Sequence, residues 1–149
     1  MKLQAYRAEA HREACLSLFD GNVGGTFHAE EREGFSDFLD ALPGPYFVWT
    51  EGTGIVACGG IAFEDDARSL ASVCWTIVDR ERQGSGIGRL LIAACVESAS
   101  EAADCEALRL ETIPETEGFF SRLGFTTVRT DTDGYGPGLH RVEMRMELR

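Results

Sequence analysis

A glycine-rich turn near the middle of the chain has the residue types and spacing of a binding site. It reads Gln83-Gly84-Ser85-Gly86-Ile87-Gly88-Arg89 and follows an apolar segment, residues 73–78, that predicts a buried strand. Apolar residues recur at helical spacing after it, so the turn joins a strand to a helix. Glycines leave room for a ligand against the main chain, and the first amides of a helix have no partner within it. Together with the positive end of the helix dipole, these amides predict an anion site.

Two other kinds of glycine-rich loop use the same physics, and the residues here argue against both. A phosphate loop of nucleoside triphosphatases needs Lys and then Ser or Thr after its last glycine, whereas Gly88 is followed by Arg89 and Leu90. A dinucleotide fingerprint has the spacing G-x-G-x-x-G near the start of a βαβ unit. This chain has G-x-G-x-G deep in the middle, after several predicted antiparallel strands. The first interpretation therefore fails, and the second has little support.

The spacing Gln83-x-x-Gly86-x-Gly88 resembles the Q/R-x-x-G-x-G/A signature of the GNAT superfamily of acyl-CoA N-acyltransferases. A second segment, residues 108–112 followed by 118–125, looks like the next strand of that family and its helix ending in Leu-Gly-Phe. Two motifs in this order are more specific than either motif alone. The resemblance implies an N-acetyltransferase that moves an acetyl group from acetyl-CoA to a primary amine of a small molecule, by direct transfer in a ternary complex.

The resemblance also implies which residues bind acetyl-CoA, because the turn amides of family members bind its pyrophosphate. The implied cofactor-binding residues are Ile77, Val78, Arg82, Gln83, Gly84, Ser85, Gly86, Ile87, Gly88, Arg89, Phe119 and Arg122. A main-chain amide near Ile77 or Val78 is the candidate to stabilise the oxyanion that develops during acyl transfer.

Amide formation needs a group that removes a proton from the attacking nitrogen, since an alkyl ammonium has a pKa of about 10.4. Glu111, at the carboxyl end of a predicted strand, is the first candidate base by its position. His28, Glu31 and Glu33 are alternatives, because family members build part of the acceptor pocket from the amino-terminal helical region.

The leaving group is where the chain departs from the family pattern. Many relatives have a tyrosine four residues before the glycine of Leu-Gly-Phe, where it can protonate the departing thiolate, and this chain has Phe120. A thiol with a pKa of about 8.5 leaves readily even without a proton donor. Phe120 also keeps an alternative function open, a non-catalytic acyl-CoA-binding or sensing module of the same fold.

The charge and composition of the chain limit which partners, compartments and metal sites are expected. A formal net charge of -11 argues against nucleic acid, because a phosphate backbone needs a cationic surface. There is neither a signal-like start nor an apolar run long enough for a bilayer, so we expect a soluble, cytoplasmic protein with no membrane partner. Five cysteines without a C-x-x-C pair predict buried, reduced thiols, and the three scattered histidines predict no metal site.

The order of elements predicts an α/β (α+β) fold like that of the GNAT family, in three layers. Its mixed central sheet would have about seven strands, with helices on both faces, in one domain spanning residues 1–149. A homodimer is one expectation, since dimers are common among such proteins. The predicted strands are 3–7, 46–50, 55–63, 70–78, 107–112, 125–129 and 141–148, and the predicted helices are 8–19, 29–42, 86–103 and 115–123. Residues 22–26 and 130–138 are predicted loops.

Overall fold

A seven-stranded mixed sheet runs through the computed structural model, which describes residues 2–25 and 27–149. Its strands are β1 (Lys2–Ala5), β2 (Tyr46–Glu51), β3 (Gly54–Phe63), β4 (Leu70–Val78), β5 (Ala107–Thr112), β6 (Thr126–Gly136) and β7 (Leu139–Glu147). Their order in the sheet is β1-β2-β3-β4-β5-β7-β6. The described residues also form the helices α1 (Ala8–Asp20), α2 (Arg32–Ala41), α3 (Ile87–Glu101) and α4 (Pro114–Arg122). The predicted α/β fold with a mixed sheet of about seven strands is confirmed.

The pairing of the strands follows the connections between them. β2 pairs antiparallel with both β1 and β3, and β7 pairs antiparallel with both β5 and β6. β4 and β5 pair in parallel, from Leu70 opposite Ala107 to Ser72 opposite Arg109. The short β2–β3 connection thus forms an antiparallel hairpin, and the connection from β4 to β5 through α3 allows parallel pairing.

The chain forms two compact units, and each has its own buried side chains. The first contains the chain up to Ala62 together with Val73–Ser98, and the second contains Phe63–Ser72 together with Ala99–Arg149. Buried side chains of the first unit include Phe19, Phe35, Leu39, Val48, Cys58 and Ile77. Those of the second include Leu108, Leu110, Phe125, Val142 and Met144. On β5 and β7 the buried residues alternate with charged ones, as expected of strands with one covered and one exposed face.

The glycine pair in β3 is explained by a close approach of the main chain. A Cβ at Gly60 would lie 2.3 Å from the Pro45 carbonyl oxygen and 2.7 Å from the Tyr46 Cα, so no larger residue fits there. The register shift in this hairpin falls instead between Trp49 and Thr50. Gly60 is therefore required by the close approach of another backbone segment and not by the register shift.

The predicted loop at residues 130–138 is wrong. β6 and β7 continue through most of it as one long hairpin that reverses at Pro137 and Gly138. The ladder is irregular between Asp131 and Gly136, where Asp133 has a left-handed φ of 57° and accepts a hydrogen bond from the Gly138 amide at 2.7 Å. The Asp and Gly residues that suggested a loop therefore accommodate an irregularity within a strand.

Smaller differences concern the amino-terminal region. The predicted helix 29–42 begins as a 3₁₀ turn, Ala29–Glu31, and α2 ends at Ala41, with Leu42 left-handed at φ 43°. Of the predicted loop 22–26, Thr26 lies outside the described residues.

Four of the five cysteines are buried as predicted, whereas Cys74 on β4 is only half-buried. Within the described part of the chain, every helix is too short or too polar to cross a membrane.

Candidate functional site

The predicted anion-binding turn forms a distinct structure between β4 and α3. The Asp79 amide, just after β4, donates to the Val56 carbonyl at 2.8 Å. A 3₁₀ turn, Arg80–Arg82, follows, and the Asp79 carboxylate caps it by accepting from the Glu81 amide at 2.9 Å. Gly84 and Gly86 then adopt left-handed conformations, with φ of 83° and 90°, before α3 begins. Glycine is needed at both positions because an L side chain is strained in that conformation.

The beginning of α3 presents main-chain donors. The Leu90 amide donates to the Gly86 carbonyl at 3.2 Å, so the amides of Ile87, Gly88 and Arg89 precede that bond in the first turn. A Cβ built on Gly84 or Gly86 would meet no described atom within 4 Å, and one on Gly88 would lie 3.9 Å from Val78 Cγ2. The turn therefore combines free space with donors at the positive end of a helix, which fits the diphosphate of a coenzyme A molecule.

Gln83, the first residue of the motif, ties this turn to its surroundings. Its side-chain Nε2 donates to the Val78 carbonyl and to Asn22 Oδ1, both at 3.2 Å. Asn22 is itself buried and donates from Nδ2 to the Leu18 carbonyl at 2.9 Å. The sequence predicted that Gln83 contacts acetyl-CoA, which stays a prediction, and it did not indicate Asn22, because an Asn after a helix is an ordinary loop residue.

The three arginines of the turn differ in their surroundings. The Arg82 guanidinium forms an ion pair with Glu51 of the β2–β3 turn region. The Arg80 Nη2 donates to the Val23 carbonyl at 2.9 Å. Arg89 is exposed in the first turn of α3. Arg89 therefore lies where an anion at the helix start would be attracted, while Arg82 already has a carboxylate beside it.

The centre of β4 is irregular. Trp75 has a φ of 47° inside the strand, and residues 73–76 are only half-buried although β4 has a neighbour on each side. The Trp75 ring lies among aromatic side chains, with centroids 5.1 Å from Phe35 and 5.9 Å from Phe27. Ile77, whose amide the sequence suggested, is buried, and the Val78 carbonyl accepts from Gln83.

In the second unit, Glu111 lies in a network of ion pairs. Its Oε2 is 3.4 Å from Arg141 Nε and 3.8 Å from Arg109 Nη2. Burial alone would lower the pKa of Arg109, but a hydrogen bond to Glu64 and three nearby carboxylates raise it. A hydrogen bond from Arg141 lowers the pKa of Asp131 in the same network. Glu111 is thus shared between two guanidinium groups, and its role as a base stays a prediction.

The remaining predicted residues are placed as follows. Phe119 and Phe120 lie on α4, and the Phe120 ring packs edge-on against Phe125 with centroids 6.1 Å apart. Phe120 therefore packs against the Leu-Gly-Phe element, and Arg122 is exposed in the last turn of the helix. His28 and Glu31 form a capping box in which the His28 amide donates to Glu31 Oε2 at 2.8 Å. Glu33 is exposed at the start of α2.

Comparison with known proteins agrees with this geometry. The sequence profile of the Acetyltransferase (GNAT) family matches residues 10–125. An aminoglycoside 6'-N-acetyltransferase complexed with coenzyme A has a TM-score of 0.85 at 10% identity, covering 100% of this chain and 98% of its own. The aminoglycoside 6'-N-acetyltransferase of Enterococcus faecium gives 0.81 at 12% identity, covering 100% and 98%. The ribosomal-protein-alanine N-acetyltransferase of Brucella melitensis gives 0.79 at 19% identity, covering 99% and 100%. No curated protein sequence matches significantly.

Because the profile spans most of the chain, the protein belongs to the GNAT acetyltransferase family. It is an acyl-CoA-dependent N-acyltransferase, and acetyl-CoA is its co-substrate.

Proposed function

We propose that this enzyme acetylates a primary amine of a small molecule, by direct transfer in a ternary complex of enzyme, acetyl-CoA and amine. The observation that carries the proposal is the turn between β4 and α3, where two left-handed glycines precede the first amides of the helix. Acetyl-CoA supplies an acetyl thioester, whose C–S bond breaks as the N–C bond of the product forms.

The turn would hold the diphosphate of this co-substrate. The amides of Ile87, Gly88 and Arg89 would donate to it, and the exposed Arg89 side chain would add positive charge. Gln83 would act indirectly, since its side chain is bonded to Val78 and Asn22 and keeps the turn in place. Phe119 and Arg122 on α4 complete the set of proposed cofactor contacts.

Charge supports an amine as the acceptor. The formal net charge of -11 favours the approach of a cationic small molecule over that of a nucleic acid. Two of the similar structures are aminoglycoside N-acetyltransferases, although identities of 10% and 12% relate the folds alone. A homodimeric state and a cytoplasmic location remain part of the proposal.

The thiols support direct transfer over an acyl-cysteine route. A nucleophilic cysteine must be accessible and must ionise near neutral pH. Burial raises the pKa of Cys95 to about 12 and also raises the pKa of Cys58. Cys15 and Cys105 are buried as well, and Cys74 is half-buried. Most of the thiols in the chain are therefore unsuited to accept an acyl group.

Proton removal from the amine is the least constrained part of the proposal. Glu111 is the proposed base, acting directly or through water, with His28, Glu31 and Glu33 as alternatives. Glu31 is engaged in the capping box, and Glu111 lies beside the guanidinium groups of Arg109 and Arg141. The proton would pass from the ammonium group to this base before or as the new bond forms.

The decisive experiment measures acetyl-CoA binding by calorimetry and thiol release with an aminoglycoside, a polyamine, an amino acid and a peptide with a free amino terminus. We expect binding, and thiol release that depends on one of these amines. Gly86→Val should weaken binding by about a hundredfold or more, since it both strains the turn and fills the space beside the amides.

Gly52→Val is the matched control, because Gly52 is also left-handed, at φ 63°, with no described atom within 4 Å of its Cβ position. It should cost similar stability and leave acetyl-CoA affinity unchanged. Equal affinity in the two variants would contradict the proposed binding site. Tight binding without turnover on any amine would instead favour the non-catalytic alternative.

A further inference from the structure

A buried tyrosine forms a hydrogen bond with Trp75, the residue at which β4 is irregular. Tyr46 on β2 is 4% exposed, and its hydroxyl donates to the Trp75 carbonyl at 2.7 Å. Burial raises the pKa of Tyr46 well above its ordinary value, so the hydroxyl keeps its proton and remains a donor. Trp75 is the residue with a φ of 47°, in the left-handed region that residues with a side chain rarely adopt within a strand. The hydrogen bond from Tyr46 therefore stabilises a strained backbone conformation in the middle of a strand.

Because the peptide bond is planar, a hydrogen bond that fixes the Trp75 carbonyl also fixes the direction of the Thr76 amide. In a trans peptide the carbonyl and the following N–H point in opposite directions. Because the Trp75 carbonyl points at Tyr46, the Thr76 amide points away from Tyr46. Trp75 and Thr76 belong to the half-buried stretch of β4, unlike the fully buried Ile77.

The surrounding residues are shaped to permit this contact. Gly60 has no Cβ, and one would lie 2.7 Å from both Cα and Cδ1 of Tyr46. Gly59 has no Cβ either, and one would lie 3.0 Å from Thr76 Oγ1 and 3.3 Å from Thr76 Cα. Tyr46 also packs edge-on against Phe38 and Tyr6, with centroids 5.3 and 5.8 Å away. Both partners of the hydrogen bond are thus fixed from several sides.

We infer that Tyr46 is a positioning residue for acyl transfer: its hydroxyl fixes the Trp75–Thr76 peptide so that the Thr76 amide faces the reacting carbonyl. This inference rests on the proposed function and assigns the donor to Thr76, next to the residues that the sequence suggested. A fixed donor stabilises negative charge that develops during the reaction without having to reorient. Tyr46 itself would touch neither acetyl-CoA nor the amine.

The test compares Tyr46→Phe with Tyr6→Phe. The Tyr6 hydroxyl is buried, and no described residue offers it a hydrogen-bond partner, so its removal is a matched loss of one oxygen. In the ligand-free protein, the three-bond coupling between the amide and Cα protons of Trp75 reports φ. We expect this coupling to rise toward the extended-strand value in Tyr46→Phe and to stay unchanged in Tyr6→Phe.

Turnover should change in parallel. Removal of an oxyanion donor costs about 10²–10³ in kcat, so its misplacement should cost roughly tenfold to a hundredfold in Tyr46→Phe. The KM for acetyl-CoA should change by less than about twofold, because the contact fixes a transition-state donor and not the cofactor turn. Tyr6→Phe should retain both constants.

Several results would overturn the inference. Unchanged kcat in Tyr46→Phe would do so, as would an unchanged Trp75 coupling or an equal loss of turnover in Tyr6→Phe. If the unmodified enzyme released no thiol with any amine, the proposed function would fail and this inference with it. Normal turnover of the unmodified enzyme and of Tyr46→Phe would remove only the inference.

Discussion

The turn before α3 and the charged face of β5, β6 and β7 place charge in different ways. The turn uses backbone amides at a helix start, and two of its glycines are left-handed with open space beside them. The charged face uses side chains: Arg109 lies 3.0 Å from Glu64, 3.5 Å from Glu143 and 3.8 Å from Glu111. The first arrangement leaves its donors available to a ligand, whereas the second satisfies its charges internally.

From this difference we expect the turn, and not the charged face, to bind a ligand. Charges that pair with each other contribute to stability and gain little from an added ligand. Main-chain donors at a helix start keep their capacity until an anion arrives. We therefore expect substitutions in the turn to change the affinity for acetyl-CoA and substitutions in the charged face to change the free energy of unfolding.

After Gly86→Val, the largest expected effect on affinity comes from Gly88→Ala, which also separates affinity from stability. A methyl group at this position would lie 3.9 Å from Val78 Cγ2, so the folded protein has room for it. Alanine within a helix should raise the free energy of unfolding by about 0.5–1 kcal/mol. Displacing a phosphate from one amide should cost about 1.5–3 kcal/mol of binding, or roughly tenfold to a hundredfold in Kd. Calorimetry with acetyl-CoA and denaturant unfolding measure the two quantities.

Gly34→Ala serves as the control for this substitution, since Gly34 is a helical glycine of α2 with ordinary contact distances to Trp75. It should raise stability in the same way and leave the Kd for acetyl-CoA unchanged. An increase in stability without loss of affinity in Gly88→Ala would mean that the ligand does not approach the main chain there.

The next effect is expected in the charged face of β5, β6 and β7, where a substitution should change stability and not affinity. The Arg109 side chain is 19% exposed and stands between Glu64, Glu111 and Glu143, so Arg109→Met leaves three carboxylates without their shared cation. We expect a loss of about 1–2 kcal/mol in the free energy of unfolding, between the values for exposed and for buried ion pairs. The loss should shrink at high salt, and acetyl-CoA affinity should not change.

Arg145→Met provides the reference for an exposed pair. Arg145 lies 3.3 Å from Glu147, and both side chains are well exposed. Its removal should change stability by less than about 0.5 kcal/mol. Equal losses in the two variants would show that the network around Arg109 adds nothing beyond isolated surface pairs.

The same contrast explains what the sequence could predict. The glycine turn was predictable because its backbone conformation at Gly84 and Gly86 is one that glycine adopts far more readily than other residues. Strands β4 and β5 were predicted with their observed bounds, because each is a short apolar run between clear breaks. Helix ends were less accurate, and Leu42 shows why: a leucine ends α2 in a conformation usually taken by glycine.

The ion pairs of the charged face and the contact between Tyr46 and Trp75 were not predictable, because both join residues far apart in the chain. Arg109, Asp131 and Arg141 appear in the sequence as ordinary charged residues of strands, and their partners depend on the register of three strands. The sequence predicts strands 125–129 and 141–148 but a loop at 130–138, so it does not predict the register that places Asp131 opposite Arg141. A left-handed tryptophan within a strand has no sequence signature at all.

The smallest predicted effect is a decrease in the free energy of unfolding at low pH, which should occur in different pH ranges for His11 in the first unit and Asp131 in the second. In the first, His11 is buried, and its Nδ1 accepts from the Arg7 amide at 2.9 Å. Burial, and then the charge of Arg7, lower the pKa of His11 below its ordinary 6.5. The unfolded chain therefore takes up this proton at a higher pH than the folded one does. As the pH falls below about 6.5, the free energy of unfolding should decrease through His11.

Asp131 in the second unit responds in a lower range. The hydrogen bond from Arg141 lowers its pKa below the ordinary 3.8, so its contribution is complete above 3.8 and is lost as the pH falls through the folded value. Denaturant unfolding between pH 8 and pH 3 should thus show a first decrease that His11→Asn removes and a later one that Asp131→Asn makes smaller. His28→Asn, at an exposed position, should leave the first decrease in place. A first decrease that survives in His11→Asn would mean that the burial of this imidazole does not couple protonation to folding.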